Sequence, residues 1–348
     1  MLPLSEIKSL NSTVDEAWRS PVADAVAAAW GLPPGAALYL RSSAAHVFIV
    51  PAKTTAQETI FLRFVPARVR PEQALLRPAR LLTALSSAGH PVVSAVLSEA
   101  GRLVETLATP AGSVHAAAVT AARGEEREPE TLTEDQSWAW GAALARFHMD
   151  AAPHRGIFLD PGIAGKADTQ PALATSPFAT LASLNVDPRL ARAAETLAAD
   201  WAALPGLPAQ KGVLHGDFEL DNLRWEGDAV SIFDLDEARI GRFAEDIASA
   251  LRDIVGQDCD NPTYPALFAS FLDGYASVRT LNEDEVALLP ICMASNAARD
   301  LLQRTGVLDV EPAAGDSPPW LPDLRSSLVN HYDEKRSLIL RVAEKTLN

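Results

Sequence analysis

In the first third of the chain apolar and polar positions alternate over short runs; beyond it they recur at helical spacing. Ala37–Arg41, His46–Val50, Thr59–Val65, Arg102–Leu107 and Ser113–Ala121 read as strands, with Pro110-Ala111-Gly112 as the turn before the last. Leu81, Leu82 and Leu85 share one helical face, which predicts a helix over Ala79–Ala88 stopped by Gly89 and Pro91. The polar stretch Arg123–Asp135 then separates this small α+β lobe from a mainly helical remainder, so the junction is expected at about residue 122. Within Glu134–Asp150, Trp140, Leu144 and Phe147 stand at i, i+4 and i+7, the buried stripe of an amphipathic helix. Further helices are expected at Pro188–Leu204, Phe243–Val255, Tyr264–Val278 and Glu283–Thr305. His154–Ser183 and Asp309–Pro322 carry no sustained periodicity and read as surface excursions.

Composition adds exclusions. A chain of 348 residues, 48% hydrophobic and 22% charged, is long enough for two domains with a sizeable core. Its 30 basic residues are scattered among 45 acids, a formal charge of −15, which argues against nucleic acid or an anionic membrane as partner. Two cysteines, Cys259 and Cys292, make neither a disulfide framework nor a metal-site spacing. The first residues meet charge and proline too early for a signal sequence, and no run of 18 apolar residues escapes Pro or charge, so a soluble, cytoplasmic protein is expected. The chain shows no internal repeat.

The stretch VLHGDFELDNLRWEGDAVSIFDLDEA, Val213–Ala238, concentrates the chemistry. Leu223–Trp225 and Ser231–Phe233 flank Glu226-Gly227-Asp228, so symmetric pairing sets 223 opposite 233 and Asn222 opposite Asp234 at the open end of a hairpin. Opposed Cβ atoms lie about 4.5–5.5 Å apart, a separation at which an amide oxygen and a carboxylate can share a hard cation such as Mg²⁺. Asp217 precedes Asn222 by five residues, the His-x-Asp-x4-Asn spacing of kinase catalytic loops.

His215-Gly216-Asp217 through Asn222, then Phe233-Asp234-Leu235-Asp236-Glu237-Ala238 and Asp246-Ile247-Ala248, resemble the aminoglycoside phosphotransferase/choline kinase family. That resemblance implies an α+β, bilobal, protein-kinase-like fold: a small N-terminal antiparallel-sheet lobe binding ATP over residues 1–122, and a larger, mainly helical catalytic and substrate-binding lobe over 123–348. It implies ATP and Mg²⁺ as cofactors and transfer of the γ-phosphoryl group to a hydroxyl on a small molecule of aminoglycoside, sugar or amino-alcohol type. Carried over position by position, Asp217 resembles the catalytic aspartate that takes the hydroxyl proton, and Asn222 and Asp234 resemble the Mg²⁺ ligands. Asp236 resembles a residue supporting the metal or facing substrate. Arg63 stands on the strand where the family places a phosphate-contacting Lys or Arg, and Arg is able to do this bidentately. Ser42 and Ser43, in the turn between the first two strands, offer hydroxyls and backbone N–H groups to phosphate.

Two departures fall on the nucleotide lobe. Pro78 stands where the family's helical glutamate belongs, and it is expected to break any single helix joining Glu72 to Leu85. The Ser42–His46 turn holds no glycine. A non-catalytic nucleotide-binding module therefore stands as an alternative, and the resemblance leaves a protein Ser/Thr kinase of the same fold as another. Asp246 reads as a cap or as a tether to the catalytic-loop backbone, and His215 and His148 as structural. The acidic runs Asp258-Cys259-Asp260 and Glu283-Asp284-Glu285 read as solvated faces, with attraction of a polycation as the competing reading.

Overall fold

A computed structural model describes residues 1–55, 58–159, 176–184, 186–204, 210–256, 258–259, 261–311 and 318–346. The chain forms two compact units. The first comprises Met1–Ala122, with the described residues of Gly156–Asp168 and Thr305–Arg325. Its sheet contains β1 (Leu38–Ser42), β2 (His46–Val50), β3 (Ile60–Pro66), β4 (Ala95–Val96), β5 (Glu105–Thr109) and β6 (Gly112–Thr120). The order is β1-β2-β3-β6-β4, every pairing is antiparallel, and β5 also pairs with β6. One face packs Phe48, Leu62, Phe64, Ala116 and Ala118 against Val22, Ala23 and Val26 of a helix at Pro21–Ala27. That helix begins with the Ser20 hydroxyl accepting the Val22 N–H and with proline at its first position, two of the strongest start signals.

The second unit comprises Arg123–Arg155, Ser326–Asn348 and the described residues of Thr169–Arg304. The Glu134–Ala151 helix opens with a capping box in which Thr133 and Gln136 each bond the other's backbone N–H. It packs against the Pro265–Val278 helix at very short range. A Cβ added to Gly141 would lie 1.9 Å from the Phe271 carbonyl oxygen, and one added to Gly274 would lie 1.9 Å from that of Trp138. Trp140, Leu144 and Phe147 are fully buried on this helix, and Trp140 meets Phe271 edge to face. A second core joins Phe178 and Leu181 to Leu190, Leu197, Ala294, Ala298, Ile339 and Val342. Two small ribbons, β7 (Lys211–Leu214) with β10 (Arg239–Arg242) and β8 (Leu223–Glu226) with β9 (Ala229–Ile232), carry the motif residues. Among the described residues no helix is long and apolar enough to cross a membrane.

The expected α+β class is the one observed, with local differences. The helix over Ala79–Ala88 begins earlier and runs unbroken from Gln73 to Ser87 with Pro78 inside it. Proline there removes only one backbone bond, and burial of Pro78, Ala79, Leu81, Leu82 and Leu85 offsets it. Glu72 is therefore joined directly to this helix as its N-cap. The expected helix at Phe243–Val255 is two pieces, Phe243–Ala250 and Arg252–Val255; that at Glu283–Thr305 divides into Glu283–Ala287 and Leu289–Gln303. Part of the His154–Ser183 excursion is a helix, Pro177–Ser183, whose Phe178 and Leu181 enter the core. The described end of Asp309–Pro322 begins a long helix, Trp320–Thr346. The rest of both excursions, and Asp260, lie outside the described residues.

The glycine contact generates a stability prediction. Gly274→Ala forces the two helices apart and is expected to destabilise the protein by about 2–3 kcal/mol. Gly156→Ala, where an added Cβ meets nothing within 4 Å, should stay within about 0.5 kcal/mol of wild type. Equilibrium urea denaturation of the two variants makes the comparison.

Candidate active site

The loop after β7 is built around one buried carboxylate. Asp246 lies in the first turns of the Phe243–Ala250 helix, fully buried. Its Oδ2 accepts the His215 N–H at 2.7 Å and its Oδ1 accepts the Gly216 N–H at 2.7 Å. Oδ2 also accepts from His148 Nε2 at 3.0 Å, and His148 Nδ1 in turn accepts the Tyr275 hydroxyl at 2.7 Å. Gly216 has φ +88°, and an added Cβ would lie 2.2 Å from the Glu237 carbonyl oxygen, so the chain reverses there only with glycine. His215 donates from Nε2 to the Phe233 carbonyl at 3.0 Å, and its Nδ1 accepts the Asp217 N–H at 3.3 Å. These bonds assign one neutral tautomer to each histidine.

Burial opposes ionisation of Asp246, yet the bond from His148 and the nearby Arg239 guanidinium hold its carboxyl below the ordinary range. Burial lowers the pKa of His148 and of His215, with Asp246 countering in both cases. Asp246 is thus a tether to the loop backbone, not a cap; the N-cap bond of that helix runs from the Arg242 N–H to Glu245 Oε1 at 2.8 Å.

Asp217, Asn222 and Asp234 are brought together. Asn222 Nδ2 donates to the Asp217 carbonyl at 2.8 Å and to its Oδ2 at 3.1 Å, which leaves Oδ1 as the atom available to a cation. Burial pushes the Asp217 carboxyl up to about 6; Arg252 counters, while the negative charges of Glu237 and Asp234 add to the rise. The hairpin register differs by one residue from expectation. Leu223 pairs with Ile232 and Glu226 with Ala229, so the turn is the two residues Gly227-Asp228, with Gly227 at φ +62°. Asn222 consequently lies opposite Phe233, whose N–H it accepts at 3.2 Å, and Asp234 falls one residue beyond. Asp234 adopts a left-handed conformation, φ 62° and ψ 63°, uncommon for a residue with a side chain. An amide oxygen and a carboxylate are donors suited to Mg²⁺. Among the described residues no group of three His, Cys, Asp or Glu side chains forms a metal cage, so a cation held by Asn222 and Asp234 would need further ligands from outside the chain.

Arg63, Ser42 and Ser43 belong to the first unit. Arg63 lies on β3 opposite Val47 and Ala117, half-buried. Ser42 lies opposite His46, which lies opposite Phe64; Ser42 Oγ bonds His46 Nδ1 at 2.8 Å, and His46 packs on the Phe64 ring. Alternation therefore sets Ser42 and Arg63 on opposite faces of the sheet, and the structure does not bring their side chains together. Ser43 turns its N–H to the Ala45 carbonyl and accepts the Leu2 N–H at 2.7 Å. Glu72 acts on the charge of His115, which shares the sheet face of Arg63. Sequence reasoning overlooked Arg252, which ion-pairs with Glu219 two residues after Asp217, and the Arg239–Glu245 pair at 3.1 Å. Nothing local in the sequence marks either pair, because the partners of the first lie 33 residues apart and those of the second on separate elements.

A six-stranded antiparallel sheet followed by a helical unit whose His-x-Asp-x4-Asn loop faces a second aspartate is the architecture of a kinase-like phosphotransferase. Residues 48–281 match the model of the phosphotransferase enzyme family (APH), and the chain belongs to that family. Curated relatives include homoserine kinases of Methylobacterium radiotolerans, 37% identical over 34% of this chain and 36% of the relative, and of Neisseria meningitidis, 35% identical over 30% and 34%. The match thus spans about a third of the length of the curated relatives. Among solved structures, the fold is similar to that of an amicoumacin kinase in complex with AMP-PNP, Ca²⁺ and its ligand, with TM-score 0.72, 18% identity and coverage of 95% and 96%. It is also similar to a microcompartment-associated aminopropanol kinase, with TM-score 0.67, 19% identity and coverage of 94% and 97%.

The neutral buried histidines generate a pH prediction. His148 and His215 have folded-state pKa values below their ordinary 6.5, so below that pH the unfolded chain takes up protons that the folded chain refuses. Stability should be level from pH 8 to 7 and then fall as pH drops below 6.5, by up to about 1.4 kcal/mol per pH unit for each histidine. Thermal melts by circular dichroism across pH 8 to 5 would detect the bend, and a melting temperature unchanged between pH 7 and 5 would contradict it.

Proposed function

We propose that this protein is an ATP- and Mg²⁺-dependent phosphotransferase that moves the γ-phosphoryl group to a hydroxyl of a small molecule. The observation that carries the reading is the convergence of Asp217, Asn222 and Asp234 on a loop whose backbone is tied to Asp246. Asp217 is the base: its carboxylate orients the acceptor hydroxyl and takes its proton. A pKa near 6 leaves it ionised at neutral pH yet more basic than an ordinary aspartate. Asn222 holds that carboxylate by its amide N–H, and its Oδ1 with Asp234 would hold Mg²⁺, which when bound would supply neutralisation of phosphate charge. Arg63 is the phosphate contact of the nucleotide unit, and Asp236 supports the metal side of the site; the Ser43 backbone N–H and carbonyl are already engaged by Ala45 and Leu2, so the Ser42–Ser43 turn is left out of the phosphate site. The named activities of the homoserine and aminopropanol kinases support hydroxylated amines and amino acids as the first acceptors to try.

An ADP-release screen over amino alcohols, hydroxy amino acids, sugars and aminoglycosides tests this directly. Asp217→Asn should lower kcat with the best acceptor by roughly 10²–10⁴-fold while leaving the Kd for Mg·ATP within about twofold. Turnover equal to wild type would remove Asp217 from the chemistry. Arg63→Ala should instead raise the KM for ATP by about tenfold, the loss of a charge-assisted contact, with a smaller change in the KM for acceptor.

A further inference from the structure

One acid of the run at 283–285 does not face solvent. The Asn282 side chain accepts the Glu285 N–H at 2.8 Å and caps the helix Glu283–Ala287. The Glu285 side chain, 3% exposed, accepts from Arg279 Nη2 at 2.9 Å, and the Arg279 side chain is itself 11% exposed. The Arg279 guanidinium lies over the Phe243 ring, 4.5 Å from its centroid, and 5.9 Å from that of Tyr275. Its Nη1 stands 3.5 Å from the Tyr275 hydroxyl oxygen, a long contact of a cation with a lone pair. Phe243 opens the helix that carries Asp246, and its ring centroid is 4.4 Å from that of His148. The proposed phosphotransfer chemistry makes no direct use of this buried ion pair.

We propose that Tyr275, held by Arg279 and Glu285, is a positioning residue for the base: its hydroxyl, donating to His148 Nδ1, fixes through His148 and Asp246 the backbone that presents Asp217. The inference rests on the phosphotransferase reading of that site and adds to it residues that do not touch substrate. The chain of donors runs in one direction. An ionised Asp246 only accepts, so His148 donates to it from Nε2 at 3.0 Å. A neutral imidazole then has Nδ1 as its acceptor, and the Tyr275 hydroxyl donates to it at 2.7 Å. Burial raises the Tyr275 pKa and keeps that proton on the phenol. The tyrosine oxygen is left with lone pairs, and Arg279 faces them. Tyr275, His148 and Asp246 are all fully buried, so water does not replace a missing donor. Without the hydroxyl, the imidazole can carry its proton on Nδ1 and turn the Nε2 lone pair toward the carboxylate. The repulsion then falls on the oxygen that also accepts the His215 N–H at 2.7 Å, and His215 in turn accepts the Asp217 N–H at 3.3 Å.

Amide hydrogen exchange and ¹⁵N-histidine NMR on the full chain read the loop without substrate, which separates this inference from the one it rests on. Tyr275→Phe should speed exchange of the His215, Gly216 and Asp217 amides by about tenfold or more, with the amides of β3 within about twofold of wild type. The His148 signals should change from a single tautomer protonated at Nε2 to a mixture. With the best acceptor, kcat should fall by about tenfold while the KM values for ATP and acceptor stay within about twofold. The double variant Arg279→Met with Glu285→Gln removes both charges of the buried pair together and should move the same signals in the same direction by less. It decides the matter where Tyr275→Phe does not fold. The inference is overturned if the three amides and the His148 signals are unchanged in the folded variants, if only the melting temperature falls, or if KM rises with kcat unchanged. Phosphotransfer at the wild-type kcat in Tyr275→Phe would overturn it and leave the phosphotransferase reading intact. Loosened loop amides in a protein that transfers phosphate to no acceptor would support the relay and remove that reading.

Discussion

The Asp246 carboxylate is the interaction on which the candidate site depends. It is fully buried and accepts three N–H donors: two from the backbone of the catalytic loop and one from His148. Removing a carboxylate from water costs several kcal/mol, and such a group is retained only when its lone pairs are satisfied by well-placed donors. Here the donors are the His215 and Gly216 amides, so the interaction that keeps the charge stable also fixes the backbone immediately before Asp217. Without it, two amides in a buried turn would lack an acceptor. The loop conformation and the ionisation of Asp246 are therefore one equilibrium.

The tether is itself held from behind. His148 reaches Asp246 only because its helix lies close to Pro265–Val278, from which Tyr275 supplies the hydroxyl that sets the His148 tautomer. That closeness is a property of Gly141 and Gly274, where a side chain would collide with the opposite backbone. A packing constraint between two helices is thus passed through a histidine and a carboxylate to the peptide groups of residues 215 and 216. Phosphoryl transfer depends on alignment, for which errors of an ångström are costly. A relay of buried, fully bonded groups is a stiffer support than a solvated loop.

The local chemistry of the site was legible in the sequence because it is written at short range. Asp217, Asn222 and Asp234 lie within eighteen residues, and spacing alone led to their meeting. The register of the hairpin was misjudged by one residue because Glu226-Gly227-Asp228 reads as a three-residue loop, whereas Gly227 accepts positive φ and closes a two-residue turn. Asp234, one residue beyond the pairing, takes a left-handed backbone, a local strain that no pattern of residue types announces. Pro78 was read as a break because its cost is local, while the burial that offsets it comes from the rest of the helix. The Pro21–Ala27 helix went unseen because seven residues are too few to display a helical period, and the long C-terminal helix because its apolar residues acquire meaning only against partners distant in sequence.

Charge shows the same division between total and place. A balance of −15 and acidic runs at 258–260 and 283–285 leave attraction of a polycation open. Within the fold Glu285 is buried against Arg279 at 2.9 Å, and Asp258 pairs with Lys345, so part of that acidity is spent in structural pairs. Around Asp217 the Arg252 guanidinium favours the carboxylate, while Glu237 and Asp234 oppose it, groups contributed by separate segments of the chain. In a partly desolvated site such neighbours outweigh distant surface charge, because screening over about 10 Å of salt solution removes most of the latter. The field around Asp217 is consequently set by a few residues gathered from separate segments and not by the total charge of the chain.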